Sequence, residues 1–595
     1  MRRSLAGLLA SACLLASPSF AAWAPQGNPL SNMPGHQYGP VAARYAYYAG
    51  PAAPTGLGMV VVWTDIRSDG GDLYYSIVTE LPPANPAPGA DGTPLVVAPG
   101  SQNAPAASTV YSPMVGLPAV ISPVVVAWTD WPSAGDPMQV RAARVGDIDW
   151  GATGVPVHDA GAKGGADAAV CSDGDLGAVV AWTERAAGWR ATRAQRLYYD
   201  GSRQWGANGV PLGSDTTVSS VPEAATVVGG GAYVLRMDRR NGALTGSARA
   251  LALFRVDFNG APAAGWPAEG LLLGDATVSG HRLLPDGDGG AYVIWQQSEI
   301  LSNDALGQGV RMARVLSTGS AAPGWSLAGT NVAPRADGHV RLGTADVRPG
   351  GEVVLALQYE QVVGGASATG RDLVAQRMLG NGQRAPGWSV LGVDLCTAPL
   401  DQHGVKVISS GEGLIAVWSD DRSGATDLYG VKLAGDGSPA SGWVANGQLM
   451  CSAPSEQISI VLAPATGGGA VFAWQDERDF PTTQTDVYAQ TVNSIGQLVV
   501  PPASAGALSL SLPRPQPAAS SARFSLSGPG GAARVQVLDA QGRAVTGWRQ
   551  DVPAGVTSLV WDLADGSGRR VAPGLYHVHV RLGDAHATRR VVVVH

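Results

Sequence analysis

Apolar residues in this chain come in short unbroken runs that end in tryptophan and step at once into polar and acidic positions. The phrase reads Val61-Val62-Trp63-Thr64-Asp65-Ile66-Arg67, Val126-Ala127-Trp128-Thr129-Asp130 and Val180-Ala181-Trp182-Thr183-Glu184-Arg185. It returns as Val293-Ile294-Trp295-Gln296, Ala416-Val417-Trp418-Ser419-Asp420-Asp421-Arg422 and Phe472-Ala473-Trp474-Gln475-Asp476-Glu477-Arg478. Two further copies keep the run and lose the tryptophan, with Arg236 and Leu357 in its place. A strand with one face in water alternates, whereas one buried on both faces is apolar at consecutive positions. The runs therefore predict strands sandwiched between neighbours, and no extended 3.6-residue period competes with them.

Three more elements accompany each anchor. An apolar stretch such as Val405–Ile408 precedes it. A segment such as Asp427-Leu428-Tyr429 or Asp486-Val487-Tyr488 follows and ends in a turn like Gly435-Asp436-Gly437, suited to positive φ. Then comes a second tryptophan with a glycine after it, as in Trp388…Gly392 and Trp443…Gly447. Four short strands in a tandem unit are the blade pattern of a β-propeller. The last unit stops near Gln497 without its fourth piece, and that piece stands at the other end as Trp23…Gly27…Leu30. The expected architecture is all-β: an eight-bladed β-propeller over residues 22–500, closed by its own N-terminal segment.

Composition adds limits. With 80 Gly and 15% charged residues in 595, the chain suits short strands and tight turns rather than long surface helices. A net charge of −7 gives no basic face for nucleic acid. Arg2 and Arg3, the apolar stretch Leu5–Ala16 and Ser19-Phe20-Ala21 read as an export signal over residues 1–21, too short for a confident membrane span. No other segment is long enough to cross a membrane. The mature chain would hold an odd number of cysteines, Cys171, Cys396 and Cys451. Cys396 and Cys451 occupy the same place in successive repeats, as a disulfide or as two separate buried thiols.

Past Gln497 a Pro-rich stretch over residues 501–518 reads as a linker, and residues 519–595 alternate like a small β-sandwich. The repeats resemble those of secreted bacterial propellers, the TolB-like type included, through stretches such as Pro285-Asp286-Gly287. In the tail, Asp539-x-x-Gly542-Arg543, Trp561-Asp562 and Pro573-Gly574-Leu575-Tyr576 resemble the FlgD-type Ig-like domain. It is also similar to type IX secretion sorting domains, although Pro513-Arg514-Pro515 departs from their Pro-Asn-Pro opening. The resemblance implies sorting through secretion or surface-attachment machinery, or a simple appendage. Trp561 is expected in the core, with Asp562 capping a turn.

The recurrent acids Asp65, Asp130, Glu184, Asp238, Asp420 and Asp476 could form a carboxylate ring. A group repeated in every unit, with Arg67, Arg422 and Arg478 beside it, fits a structural bond better, because catalysis needs such a group once. Ser172-Asp173-Gly174-Asp175 and Asp286-Gly287-Asp288-Gly289 match only fragments of a sialidase box, and Asp286 with Asp288 could alternatively hold Ca²⁺. His577 and His579 share a strand face but lack further ligands. No catalytic, cofactor-binding or metal residue is assigned, and no cofactor is implied. The expectation is an exported, non-catalytic binding or scaffold protein of the cell surface or extracellular space, its partner an unknown protein or glycan. The alternative is a secreted glycan-processing hydrolase with two carboxylates at its centre.

Overall fold

The computed structural model describes residues 23–594, apart from residues 25, 48–55, 69, 80–90, 111–122, 146–149, 160, 162, 187–188, 215–220, 228–229, 239–249, 275–276, 303–305, 349, 364–365, 499–508, 511–517, 529–530, 553–554 and 584. The expected export signal and most of the expected linker lie outside the described residues. The chain divides into two compact units, Met1–Val499 and Val500–His595.

The first unit is a β-propeller. Its described residues form eight four-stranded antiparallel sheets, seven of them built from strands consecutive in the chain. The sheets are numbered here in the order of their innermost strands: Gln37–Tyr47, Ser101–Thr109, Gly164–Ser172, Glu223–Thr226, Val278–Pro285, Gly338–Val347, Gln402–Ser410 and Gln457–Pro464. Each inner strand touches the inner strand of the next sheet, and the eighth touches the first, so the sheets surround a central channel. The second strand of each sheet carries the apolar run. Val60–Trp63, Val125–Trp128 and Leu414–Trp418 are almost completely shielded, since a sheet lies against each face.

The split repeat closes the ring. Asn28–Ser31 pairs antiparallel with Asp486–Val492, Asn28 opposite Ala489, as the outer strand of the eighth sheet. Trp23 is buried beside Met59, Val61 and Trp63 of the first sheet and Ala473 of the eighth.

The second tryptophan, present in seven of the eight units, lies before the outer strand and not in a strand. Its indole N–H crosses to a turn of the following sheet. Trp150 donates to the Tyr199 carbonyl at 2.9 Å, Trp266 to Ser317 at 2.7 Å, Trp388 to Gly435 at 2.9 Å and Trp443 to Ser494 at 3.0 Å. Each bond ties one sheet to the next, and an arginine shares three of these carbonyls: Arg144 that of Tyr199, Arg255 that of Ser317 and Arg377 that of Gly435.

The second unit holds a three-stranded and a four-stranded sheet. Both contribute to one core that includes Phe524, Val535, Trp561, Tyr576 and Val591. Trp561 is buried as expected and donates to the Ala564 carbonyl at 3.0 Å, while Asp562 Oδ1 accepts the Ala564 N–H at 3.2 Å.

Candidate functional site

The recurrent acids resolve into a latch. In the seventh sheet Trp418 Nε1 donates to Asp420 Oδ2 at 2.8 Å, and Arg422 grips both oxygens of the same carboxylate at 2.9 and 2.6 Å. The guanidinium also lies over the Tyr429 ring at 3.9 Å. The eighth sheet repeats this with Trp474, Asp476, Arg478 and Tyr488, and the first with Trp63, Asp65, Arg67 and Tyr74. A bidentate, stacked guanidinium on a buried carboxylate orders a loop end. In the fourth sheet Arg236 fills the tryptophan's place, fully buried, and meets Asp238 at 3.3 Å.

Cys396 and Cys451 are free. Each sits under its own unit's arginine, Cys396 Sγ at 2.9 Å from Arg422 Nη2 and Cys451 Sγ at 3.6 Å from Arg478 Nη2. Burial pushes both thiols up to about 11. Asp173 and Asp286 are turn residues. Asp286 Oδ1 accepts the N–H groups of Asp288 and Gly290 at 2.8 and 2.7 Å, and its other oxygen meets Arg314 at 2.9 Å. His579 Nδ1 pairs with Thr588 Oγ1 at 2.9 Å. Among the described residues no group of three or more His, Cys, Asp or Glu side chains is placed to hold a metal ion.

One recurrent residue escapes the sequence reading. Gln102, Gln402 and Gln457 are fully buried, and each side-chain amide donates to carbonyls of the loop that enters its inner strand. Gln402 Nε2 lies 3.1 Å from the Ala398 oxygen and Gln457 Nε2 3.2 Å from that of Ala453. The signal was present as Ala98-Pro99-x-x-Gln102, Ala398-Pro399-x-x-Gln402 and Ala453-Pro454-x-x-Gln457.

The full latch is confined to the first, seventh and eighth sheets; the fourth to sixth have Arg236, Gln297 and Leu357 within the pattern, and the second and third, which are adjacent, lose it in another way. Position 132, where the arginine belongs, is Pro, and Asp130 is taken by Gln102 at 3.0 Å. In the third sheet the arginine comes one residue early, as Arg185, and turns to Asp167 instead of Glu184. The buried indole N–H groups of Trp128 and Trp182 have no hydrogen-bond partner among the described residues.

Between these two sheets lies an open cleft of about 300 Å³, lined by Trp131, Asp136, Met138, Gly164 and Arg185. Trp131 and Arg185 hold the same repeat position, three residues after their anchors. The Trp131 ring is exposed, and its N–H is tied to the Asp136 carbonyl at 3.1 Å. Arg185 Nε is buried without a partner among the described residues.

Asp167, the partner of Arg185, sits at a bulge of the third inner strand. Most inner strands carry a bulge near the rim with a residue at positive φ: Gly39 (62°), Ala104 (50°), Gly404 (64°) and Ser459 (55°). At the same place the third sheet has Asp167 at φ 57°. A non-glycine residue is uncommon in the left-handed region, and Asp167 shares the conformation with Ala104 and Ser459 as a feature of the repeat. Its amide N–H reaches Thr129 Oγ1 of the second sheet at 3.2 Å. The Asp167 carboxylate is thus fixed at the seam between two sheets.

No family model matches this chain, and no curated protein does. The solved structures that resemble it are distant. PorZ, an essential surface component of the type IX secretion system of Porphyromonas gingivalis, is 10% identical over 93% of this chain and 81% of its own, with a TM-score of 0.22. An α-L-arabinanase of Penicillium chrysogenum is 11% identical over 65% and 92%, TM-score 0.30. A β-fructofuranosidase of Bombyx mori is 11% identical over 62% and 85%, TM-score 0.26. Glycoside hydrolases, arabinofuranosidases among them, make up most of these structures. The expectation of a non-catalytic binding or scaffold protein is corrected by these structures, most of which are enzymes of the kind its alternative names; the likeness itself is one of fold. No helix among the described residues is long and apolar enough to cross a membrane.

Proposed function

We propose that this chain is an exported glycan-processing hydrolase: an eight-bladed propeller of TolB-like repeats that works at the cleft between its second and third sheets, carrying a C-terminal FlgD-type Ig-like domain. The observation that carries the reading is the cleft between the second and third sheets. Five of the eight units lack the full latch, and in these two neighbours the residues three positions after the anchors, Trp131 and Arg185, line one open cleft. Departures from a repeat that gather round one cleft are where function is expected.

The chemistry of the cleft suits a sugar. The exposed Trp131 ring is a flat apolar platform for the C–H face of a pyranose or furanose. Asp136 and Arg185 line the cleft, and Arg185 holds the carboxylate of Asp167 behind it. Glycoside hydrolysis needs two carboxyl groups flanking the bond, one to protonate the leaving oxygen and one to activate water or attack the anomeric carbon. Asp167 is assigned the base or nucleophile role because it is held rigidly, and Asp136 the acid role. Secretion or cell-surface location belongs to the same proposal, since such a substrate lies outside the cell.

The test is release of reducing sugar from a panel of arabinan, fructan, sialyllactose and polygalacturonate. Asp167→Asn should lower kcat at least about 100-fold, the scale of a lost acid–base group, with unfolding unchanged. Trp131→Ala should mainly raise KM. A purified protein that cleaves nothing on the panel, or an Asp167→Asn variant as active as the parent, would refute the assignment.

A further inference from the structure

The channel wall is chemically lopsided. One residue before each anchor position, the inner strands present a belt of side chains at one depth, identified by their cross-strand partners. In sheets eight, one, two and three this belt is small and apolar, as at Val461 and Ala169. In sheets four to seven it is Glu223, Arg282, Thr344 and Lys406, opposite Leu235, Ile294, Ala356 and Val417. No repeat logic demands this arc, because the remaining sheets close the ring without it.

Polar accounting leaves one charge over. The Glu223 carboxylate accepts the Leu283 N–H at 2.7 Å and stands 3.5 Å from Arg282. Thr344 Oγ1 donates to the Val405 carbonyl at 3.3 Å and accepts the Val407 N–H at 2.9 Å. One step deeper, Asp346 is already taken by Arg44 at 2.6 Å and by Ser409 at 2.8 and 2.9 Å. The Lys406 ammonium has no hydrogen-bond acceptor or carboxylate among the described residues. Burial lowers its pKa, and the charge of Arg282 pushes the same way. A half-buried lysine beside a second cation is a place where a small anion is electrostatically favoured.

We propose that Lys406 and Arg282, on either side of Thr344, hold a small oxyanion within the channel: either a free inorganic ion or the carboxylate of an acidic sugar. The site stands apart from the Asp167 cleft, on sheets five to seven instead of two and three.

Isothermal titration of the intact protein with sulfate and with glucuronate, at constant ionic strength, tests it. Binding of either at millimolar or lower Kd is expected, weakened at least tenfold in Lys406→Met and unchanged in Asp167→Asn. Tighter binding of sulfate identifies a free inorganic ion, and tighter binding of glucuronate identifies a sugar acid. If Lys406→Met does not fold, a crystal of the wild-type protein soaked in selenate should show anomalous density between Lys406 and Arg282. The proposal fails if neither anion binds the wild type, if Lys406→Met binds as well as the parent, or if selenate leaves that position empty.

Discussion

At position 447 there is room for a hydrogen atom and nothing larger. A Cβ there would stand 2.3 Å from the Trp418 ring, on a backbone at φ +78°. The same pairing recurs as Gly92 over Trp63, Gly154 over Trp128, Gly329 over Trp295 and Gly27 over Trp474. Where the anchor is lost the glycine has another neighbour: Gly270 meets Phe254, and Gly392 meets Val374. Gly447→Ala should therefore cost about 3 kcal/mol or more, from clash and backbone strain together. Gly424→Ala, at φ +86° with nothing within 4 Å of its Cβ, should cost only about 1 kcal/mol. Urea unfolding of the two variants measures the difference.

Asp486 offers a second residue-level expectation. Burial drives its carboxyl up to about 7, with Asp479 and Asp476 adding to the effect and the Thr483 hydroxyl opposing it. In the unfolded chain the same group ionises near pH 4. Its contribution is full below that pH and is lost as pH rises through about 7, because only the unfolded carboxyl then ionises freely. Asp486→Asn should flatten this part of the stability profile, and the variant's advantage should grow from pH 4 to 7 and level off above it. Urea midpoints across pH 4–8 check the sign; an advantage that shrinks over that range would contradict it.

At the scale of the element, the tryptophan anchors, the acid–arginine latch and the outer-strand glycine were legible because each recurs with the unit. Asp167 was not. Its weight comes from a bulge, and a bulge is a property of backbone pairing that Gly39, Ala104 and Ser459 share without sharing a side chain. The cleft was equally hidden, because Trp131 and Arg185 look like ordinary variation of the anchor phrase until the lost latches are placed side by side. The second tryptophan was legible as a repeat but misplaced, since its role is to bridge sheets rather than pair within one. Trp388→Phe keeps the ring and removes the N–H bonded to Gly435. It should cost about 1 kcal/mol, against about 3–5 for Trp388→Ala, read from denaturant midpoints.

At the scale of the whole molecule, the closed ring has no seam that depends on chain order. Moving residues 23–31 to follow Leu498 should therefore leave a folded propeller, whereas deleting them strips the eighth sheet of its outer strand and the first of Trp23. Circular dichroism and melting of both forms would tell: a permutant that fails to fold would mean the closing strand needs its present connection.

That closing strand also sets a timetable. Asn28–Ser31 is among the earliest described segments to be synthesised, yet its partner, Asp486–Val492, is made more than 450 residues later. Sequential sheets can form as they emerge, since their strands are neighbours in the chain. The final sheet must wait, with its edge groups unpaired and Trp23 in water, until nearly the whole propeller exists. Distant pairing of this kind is slow to form. Until that moment the nascent molecule is an open arc with two sticky ends, and a chaperone that shields those ends would speed its maturation more than one acting on any sheet between them.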